Sequence, residues 1–126
     1  MAVTVATLVA EAKSRVENLT ADDVAAELAA GAALLVDLRE EDERTRVGTI
    51  PEAIPAPRGM LEFWADPASP YHRPEFDPEA RIILVCASGG RSALAADTLR
   101  MLGFGRVAHL DGGVKAWIAS GRPVAA

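Results

Sequence analysis

The sequence predicts an α/β fold in which a largely parallel sheet of about five strands carries helices on both faces. Short apolar runs such as "ALLVDLR" and "RIILVC" alternate with segments of helical periodicity, which is typical of parallel sheets covered by helices. The helical segments "RSALAADTLRMLG" and "GVKAWIASG" both end at a glycine, a common helix terminator. The length of 126 residues fits a single hydrophobic core, since one core usually organises about 100 to 200 residues.

The N-terminal residues 1–19 are predicted to form an extra amphipathic helix that precedes a domain over residues 20–126. Their apolar side chains fall at helical spacing, at Val5, Leu8, Val9, Ala12, Val16 and Leu19. A second helix is predicted to begin at Thr20 as its N-cap and to end near Gly31. Asp22 and Asp23 in its first turn suit the positive end of the helix dipole.

The rest of the chain supplies the strands and one long loop. The segments "ALLVDLR", "AIPAP", "RIILVC" and "RVAHL" are predicted strands, and "EEDERTR" is predicted to be a solvated helix or turn. Residues 50–78 contain seven of the eight prolines and are predicted to be mostly loop. The aromatic residues of this loop either cover the core or form a lid over a pocket, and they are Phe63, Trp64, Tyr71 and Phe76.

Composition excludes several classes of function. A net charge of -5 with no basic run argues against a nucleic-acid or membrane surface, and no segment reaches the roughly 18 apolar residues of a membrane span. The N-terminus does not resemble a signal peptide, so a cytoplasmic location is expected. One cysteine and two distant histidines offer no metal-ligand spacing, and no cofactor is expected. The sequence does not indicate the oligomeric state.

The segment "CASGGRS" contains the only cysteine of the chain, Cys86, at the end of a predicted strand. Ligands of such sheets bind at the carboxyl ends of the strands. Small residues follow, and their backbone N–H groups can converge on one anionic point. These residues are Ala87, Ser88, Gly89 and Gly90. Arg91 adds a permanent positive charge, so the segment is a candidate anion-binding loop around Cys86.

Two roles are open to Cys86. Free cysteine is among the most buried residue types, so core packing is the simpler interpretation. However, a cysteine attacks as its thiolate, which a helix N-terminus and a nearby cation both favour. Two glycines and an arginine between a strand and a helix have no packing purpose. The loop therefore favours a nucleophilic Cys86.

The sequence resembles the rhodanese family from about Thr20 to Pro123. The similar motifs occur in the family's order, as "LLVDLRE", "GTIPEAIPAP", "CASGGRS" and "LGFGRVAHLDGGVKAW". Thr49 stands where the family often has His, and Glu52 stands where it often has Gly. Neither departure falls on the cysteine loop.

The resemblance implies a sulfurtransferase. A small anionic donor such as thiosulfate or a mercaptopyruvate-like molecule would give its outer sulfur to Cys86, and a thiol, a protein or cyanide would accept that sulfur from the persulfide. The loop N–H groups would hold the persulfide, and Arg91 would orient the donor. Arg58, after the strand-like "AIPAP", is either a second cation facing the donor or a solvated side chain.

Other polar residues near strand ends receive structural roles. Asp37 and Arg39 end a buried strand, where charged groups rarely stand unpaired, and are predicted to brace loops. His109 is predicted to be partly buried with its hydrogen bonds satisfied. Asp111 is a candidate cap of the last helix.

Two alternative functions are kept. The first is a sulfur-carrier or regulatory binding module with the same fold and little turnover of its own. The second is a small cysteine-dependent phosphatase or arsenate reductase. Those enzymes use five residues between the cysteine and the arginine of the loop, whereas four separate Cys86 from Arg91. The absence of a second cysteine also argues against a dithiol redox enzyme.

Overall fold

The computed structural model describes residues 2–126, in which helices and strands alternate along the chain. The helices are α1 (Val5–Arg15), α2 (Ala21–Ala29), α3 (Glu41–Val47), α4 (Leu61–Ala65), α5 (Gly90–Met101) and α6 (Gly113–Ala119). The strands are β1 (Glu17–Leu19), β2 (Leu34–Asp37), β3 (Ile54–Pro55), β4 (Ile82–Val85) and β5 (Val107–Leu110). A short 3-10 helix, Arg58–Met60, leads into α4.

The five strands form one parallel sheet in the order β1-β5-β4-β2-β3. The predicted α/β class, the parallel sheet and the helices on both faces are confirmed. Central strand β4 is buried throughout. Its alternate side chains enter two separate hydrophobic clusters, Ile82 and Leu84 on one face and Ile83 and Val85 on the other. Because all five strands are parallel, their carboxyl ends meet at one edge of the sheet, beside the loop of Cys86.

The prediction of one helix through residue 19 is wrong. Helix α1 ends at Arg15, and residues Glu17–Leu19 form edge strand β1, which pairs with β5. Only Leu19 of this strand is buried. Three residues with one buried side chain show no hydrophobic periodicity that could distinguish a strand from the end of a helix. Because β1 belongs to the sheet, the N-terminal segment is part of the fold and not an appendage before it.

Helix α1 packs on α5 with only part of its apolar stripe buried, and an ion pair joins the two helices. Ala12 is buried, whereas Val5 and Leu8 are exposed. The Arg15 guanidinium instead forms an ion pair of 2.7 Å with Asp97 of α5. Hydrogen bonds from Arg15 hold the pKa of the Asp97 carboxyl below its usual value. Within residues 2–126, no helix combines the length and apolarity needed to span a membrane.

The helix start predicted at Thr20 is present. Thr20 caps α2, and its side chain and that of Asp23 exchange hydrogen bonds with each other's backbone N–H groups. The charged segment 41–47 is helix α3, whose first turn is acidic. The turn before β3 places Glu52 at φ 74°, in the left-handed region, which explains why a glycine would suit this position.

The loop over residues 50–78 is less irregular than predicted, because it contains the 3-10 helix and α4. Phe76 is fully buried and Trp64 packs against the core, whereas Phe63 and Tyr71 are exposed and meet edge to face. Two of the four aromatic residues therefore cover the core. The other two lie on the surface.

Candidate active site

Cys86 follows directly after β4 and lies beneath the start of α5 with only 1% of its surface exposed. The backbone N–H groups of Gly89 and Ser92 donate to its Sγ atom at 3.2 and 3.4 Å. The first turn of a helix carries partial positive charge and free N–H groups. This turn therefore converges on the sulfur and favours a negative charge there.

Glycines allow the loop to approach its neighbours closely. Gly89 has φ 106°, and a Cβ atom there would lie 2.9 Å from the backbone nitrogen of Gly112. A Cβ atom on Gly113 would overlap the carbonyl groups of Cys86 and Ala87. These same carbonyls accept hydrogen bonds from the N–H groups of Val114 at 2.9 Å and Lys115 at 3.1 Å. The start of α6 therefore holds the first two residues of the loop in place.

Arg91 forms a paired hydrogen bond with Glu43 of α3. Its Nη1 and Nη2 atoms each lie 2.8 Å from one oxygen of the carboxylate. These bonds raise the pKa of Arg91 and lower the pKa of Glu43 to about 2, with help from the backbone N–H of Glu40. The cation predicted to orient an anion is thus held at a fixed position by a residue that sequence reasoning did not single out.

Asp37 and Arg39 form a buried ion pair of 2.8 Å in which each side chain is nearly inaccessible. Asp37 also accepts from the backbone N–H of Arg39, and Arg39 donates to the carbonyl of Gly48 at 2.8 Å. The pair connects the end of β2 to the turn after α3. The hydrogen bonds of the pair go to Asp37, Arg39 and Gly48, and none of them reaches the cysteine loop.

A cleft of about 270 Å³ opens beside the loop at Ala87. Arg46 of α3 and Lys115 of α6 line it, together with Glu43, Val47, Val114 and the buried Arg39. The side chain of Arg46 is mostly exposed and only loosely paired with Asp42, at 3.5 Å. No sequence pattern pointed to Arg46 and Lys115, because they lie on different helices and only the fold brings them to one cleft.

Arg58 lies elsewhere. It begins the 3-10 helix after β3 and pairs with Glu62 at 2.7 Å, and it does not line the cleft beside Ala87. The predicted capping role of Asp111 is wrong: Gly112 is the N-cap of α6, and the Asp111 carboxylate pairs with Lys13 of α1 at 2.8 Å.

Three polar side chains lie behind the sulfur. Ser92 Oγ is 3.5 Å from Cys86 Sγ and 2.8 Å from Nδ1 of His109, whose Nε2 is 2.7 Å from Oδ1 of Asn18. His109 was expected to be partly buried, but it is fully buried. Sequence reasoning did not select Ser92 or Asn18, since these contacts join α5, β5 and β1.

Fold and site together define an α/β protein whose single cysteine lies at the carboxyl edge of a parallel sheet, in a loop with backbone N–H groups that converge on its sulfur. Residues 20–120 match the Rhodanese-like domain family, and the chain belongs to that family. A sulfurtransferase of Allochromatium vinosum is 34% identical over 93 residues, which cover 74% of this chain and 78% of that protein.

Solved structures agree with this assignment. A protein of unknown function from Rhodopseudomonas palustris, named a possible tyrosine phosphatase, superposes with a TM-score of 0.93 at 41% identity, over 98% of this chain and 96% of its own. The human single-domain sulfurtransferase superposes with a TM-score of 0.69 at 26% identity, over 81% and 95% of the two chains. The family and the sulfurtransferase relatives support sulfur transfer as the general activity.

Proposed function

We propose that the protein transfers a sulfane sulfur from a small anionic donor such as thiosulfate through a persulfide on Cys86. The observation that carries the proposal is the convergence of the Gly89 and Ser92 N–H groups on Sγ, at 3.2 and 3.4 Å. These donors stabilise a thiolate before the reaction. They also stabilise a persulfide anion after it, because the extra sulfur stays at the mouth of the same loop.

The proposed reaction has two steps. The Cys86 thiolate attacks the outer sulfur of thiosulfate, a new S–S bond forms, and the old S–S bond breaks with its electron pair leaving on sulfite. An acceptor thiolate or cyanide then attacks the outer sulfur of the persulfide. The Cys86 thiolate leaves with the electron pair of the S–S bond and is ready for another donor.

The small opening of the site favours the transfer of a single atom. Cys86 is only 1% exposed, and four residues separate it from Arg91. The outer sulfur of thiosulfate is one atom that projects from its anionic group. A phosphoryl group must instead bring three oxygens into the loop. The loop therefore suits a sulfur donor better than a phosphate ester.

The donor's anionic end is proposed to bind in the cleft beside Ala87, where Arg46 and Lys115 supply positive charge. Both side chains lack a close buried partner, so they are available to a sulfonate or carboxylate. Arg91 contributes to the same field but stays paired with Glu43. A contribution from Arg58 remains a prediction.

Two alternatives predict different outcomes. A sulfur-carrier or regulatory module would accept sulfur on Cys86 but release it only to a protein partner. A phosphatase is the second candidate because the similar Rhodopseudomonas palustris protein is named a possible tyrosine phosphatase. It would form no persulfide and would hydrolyse an aryl phosphate.

Intact mass spectrometry after incubation with thiosulfate tests the proposal. We expect a gain of about 32 Da, one sulfur atom, that cyanide or a small thiol removes. The variant Cys86→Ser is the control and should stay unmodified. No adduct on the wild type, or the same adduct on Cys86→Ser, would overturn the proposal. Turnover of p-nitrophenyl phosphate without an adduct would establish the phosphatase instead, and an adduct that only a protein removes would establish the carrier.

A further inference from the structure

The hydrogen-bond chain behind Cys86 is buried and continuous. Ser92 and His109 are fully buried, and the chain runs from Cys86 Sγ through Ser92 Oγ and the His109 ring to Asn18 Oδ1. Neither the loop N–H groups nor Arg91 belong to it. The sulfur-transfer steps described above do not account for a histidine in this position.

Asn18 fixes the proton positions in this chain. Its Nδ2 atom lies 2.9 Å from the carbonyl oxygen of Lys13 and 3.2 Å from that of Val16. Carbonyls only accept hydrogen bonds, so this end of the amide is the NH₂ group. Oδ1 therefore faces His109 and must accept a hydrogen bond from Nε2. A neutral His109 consequently carries its proton on Nε2 and presents a lone pair at Nδ1.

The position of that lone pair orients Ser92. Its hydroxyl donates to Nδ1 of His109, so one oxygen lone pair is left to face the thiol of Cys86. The thiol donates to this lone pair across 3.5 Å. In this resting arrangement each hydrogen points from the sulfur toward the imidazole.

Burial keeps the resting imidazole neutral. Desolvation lowers the pKa of His109, Asp111 raises it, and Lys13 lowers it. Lys13 and Asp111 pair with each other at 2.8 Å, so their effects on the ring partly cancel. A free imidazolium is therefore disfavoured here unless a negative charge forms nearby at the same time. The Cys86 thiolate would be that charge.

We propose that Ser92 and His109 form a proton relay that accepts the Cys86 proton when the thiolate forms. The S–H bond breaks as the proton moves to Ser92 Oγ, and the serine's own proton moves to His109 Nδ1. The products are a thiolate and an imidazolium. The two hydrogen bonds between the sulfur and the ring are then kept with their directions reversed: Nδ1–H donates to Oγ, and Oγ–H donates to the sulfur. The Nε2–H of His109 donates to Asn18 Oδ1 in both states. The proton returns by the same route when Cys86 is restored to the thiol.

This inference rests on the proposed nucleophilic role of Cys86, and its test does not need a sulfur donor. Iodoacetamide alkylates the thiolate of the only cysteine in the chain, so its rate reports thiolate formation directly. In His109→Asn the amide oxygen keeps an acceptor near Ser92 but cannot take a proton. We expect alkylation near neutral pH to fall about 100-fold, as is typical on loss of a general base, and the deficit to disappear in alkaline solution.

Two serine variants keep the test informative if His109→Asn does not fold. Ser92→Ala breaks the relay and should lose about as much rate as His109→Asn, whereas Ser92→Thr keeps a hydroxyl and should stay within a few-fold of the wild type. The double variant Ser92→Ala/His109→Asn should be no slower than either single variant, because both interrupt one path. His72→Asn, at the other histidine, is the matched control and should have no effect.

The outcomes separate this inference from the proposed function. An alkylation rate within twofold of the wild type in folded His109→Asn or Ser92→Ala would overturn the relay, as would a loss that persists unchanged at alkaline pH. A wild type that forms no thiosulfate adduct but shows the expected alkylation pattern would overturn sulfur transfer from thiosulfate and support the relay.

Discussion

Glu43 and Arg91 are joined by two parallel hydrogen bonds of 2.8 Å across 48 positions of the sequence. Planar pairs of this kind fix orientation as well as distance. They couple α3, which lines the cleft, to the first turn of α5, which surrounds the sulfur. The site therefore has a second brace besides the start of α6.

Replacing Glu43 by Gln tests this brace. Gln keeps an acceptor for the backbone N–H of Glu40 but removes the charge that holds Arg91. We expect sulfur transfer from thiosulfate to lose about tenfold in kcat/KM, because the cation and the loop are less well positioned. Glu41→Gln, on the exposed face of the same helix, is the matched control. Equal activities of the two variants would contradict a positioning role.

Acid should weaken the same pair. The Arg91 hydrogen bonds hold the pKa of Glu43 at about 2, below its ordinary value of 4.5. The unfolded chain therefore binds more protons than the folded one, and the stabilisation is complete above the ordinary value and lost as the pH falls through about 2. Urea unfolding over this range should show a shallower loss for Glu43→Gln than for the wild type. Parallel curves would contradict the expectation.

Gly113→Ala should displace the cysteine loop. The residue has φ 64°, and its new Cβ would overlap the Cys86 and Ala87 carbonyls. Gly121→Ala is the matched control, because Gly121 has φ 85° with nothing within 4 Å of its Cβ position. Both variants should lose roughly 1 to 2 kcal/mol of unfolding free energy to left-handed strain. Gly113→Ala should lose more stability and most of its activity, whereas an active Gly113→Ala would contradict the close contact.

Variants of Arg46, Lys115 and Arg58 should differ in how strongly they change the KM for the anionic donor. Arg46 and Lys115 line the cleft, whereas Arg58 pairs with Glu62. We expect Lys115→Ala and Arg46→Ala each to raise the KM for thiosulfate several-fold with little change in thermal stability, because each removes one charge that faces the anion. Arg58→Ala should change the KM less than either. A larger effect at Arg58 would move the donor site to the end of β3.

Periodicity and glycine positions were sufficient for most of the fold. The strands "ALLVDLR" and "RIILVC" are buried on both faces, so their apolar runs are unambiguous, and Gly103 and Gly121 end helices as expected. Strand β1 was not predicted because three residues with one buried side chain show no hydrophobic periodicity. It is a strand because it pairs with β5, and a local sequence pattern does not reveal that distant neighbour.

Only the local part of the candidate site could be inferred from the sequence. Cys86 through Arg91 are consecutive, so their spacing could be interpreted directly. Distant segments supply the partner of Arg91, the cleft residues Arg46 and Lys115, and the polar chain behind the sulfur. His109 and Asn18 lie 91 positions apart, and only the pairing of β1 with β5 brings them together.

The pairing of β1 with β5 also limits how far the chain can be truncated without loss of contacts. The family match spans residues 20–120, yet Asn18 precedes it and Ala125, which exchanges two backbone hydrogen bonds of 2.8 Å with Thr49, follows it. A fragment trimmed to the matched range would lose an edge strand at one end and a clasp on the turn before β3 at the other. It would also leave the Nε2–H of His109 without its acceptor. The contacts that hold the fold together therefore extend beyond both ends of the region by which the family is recognised.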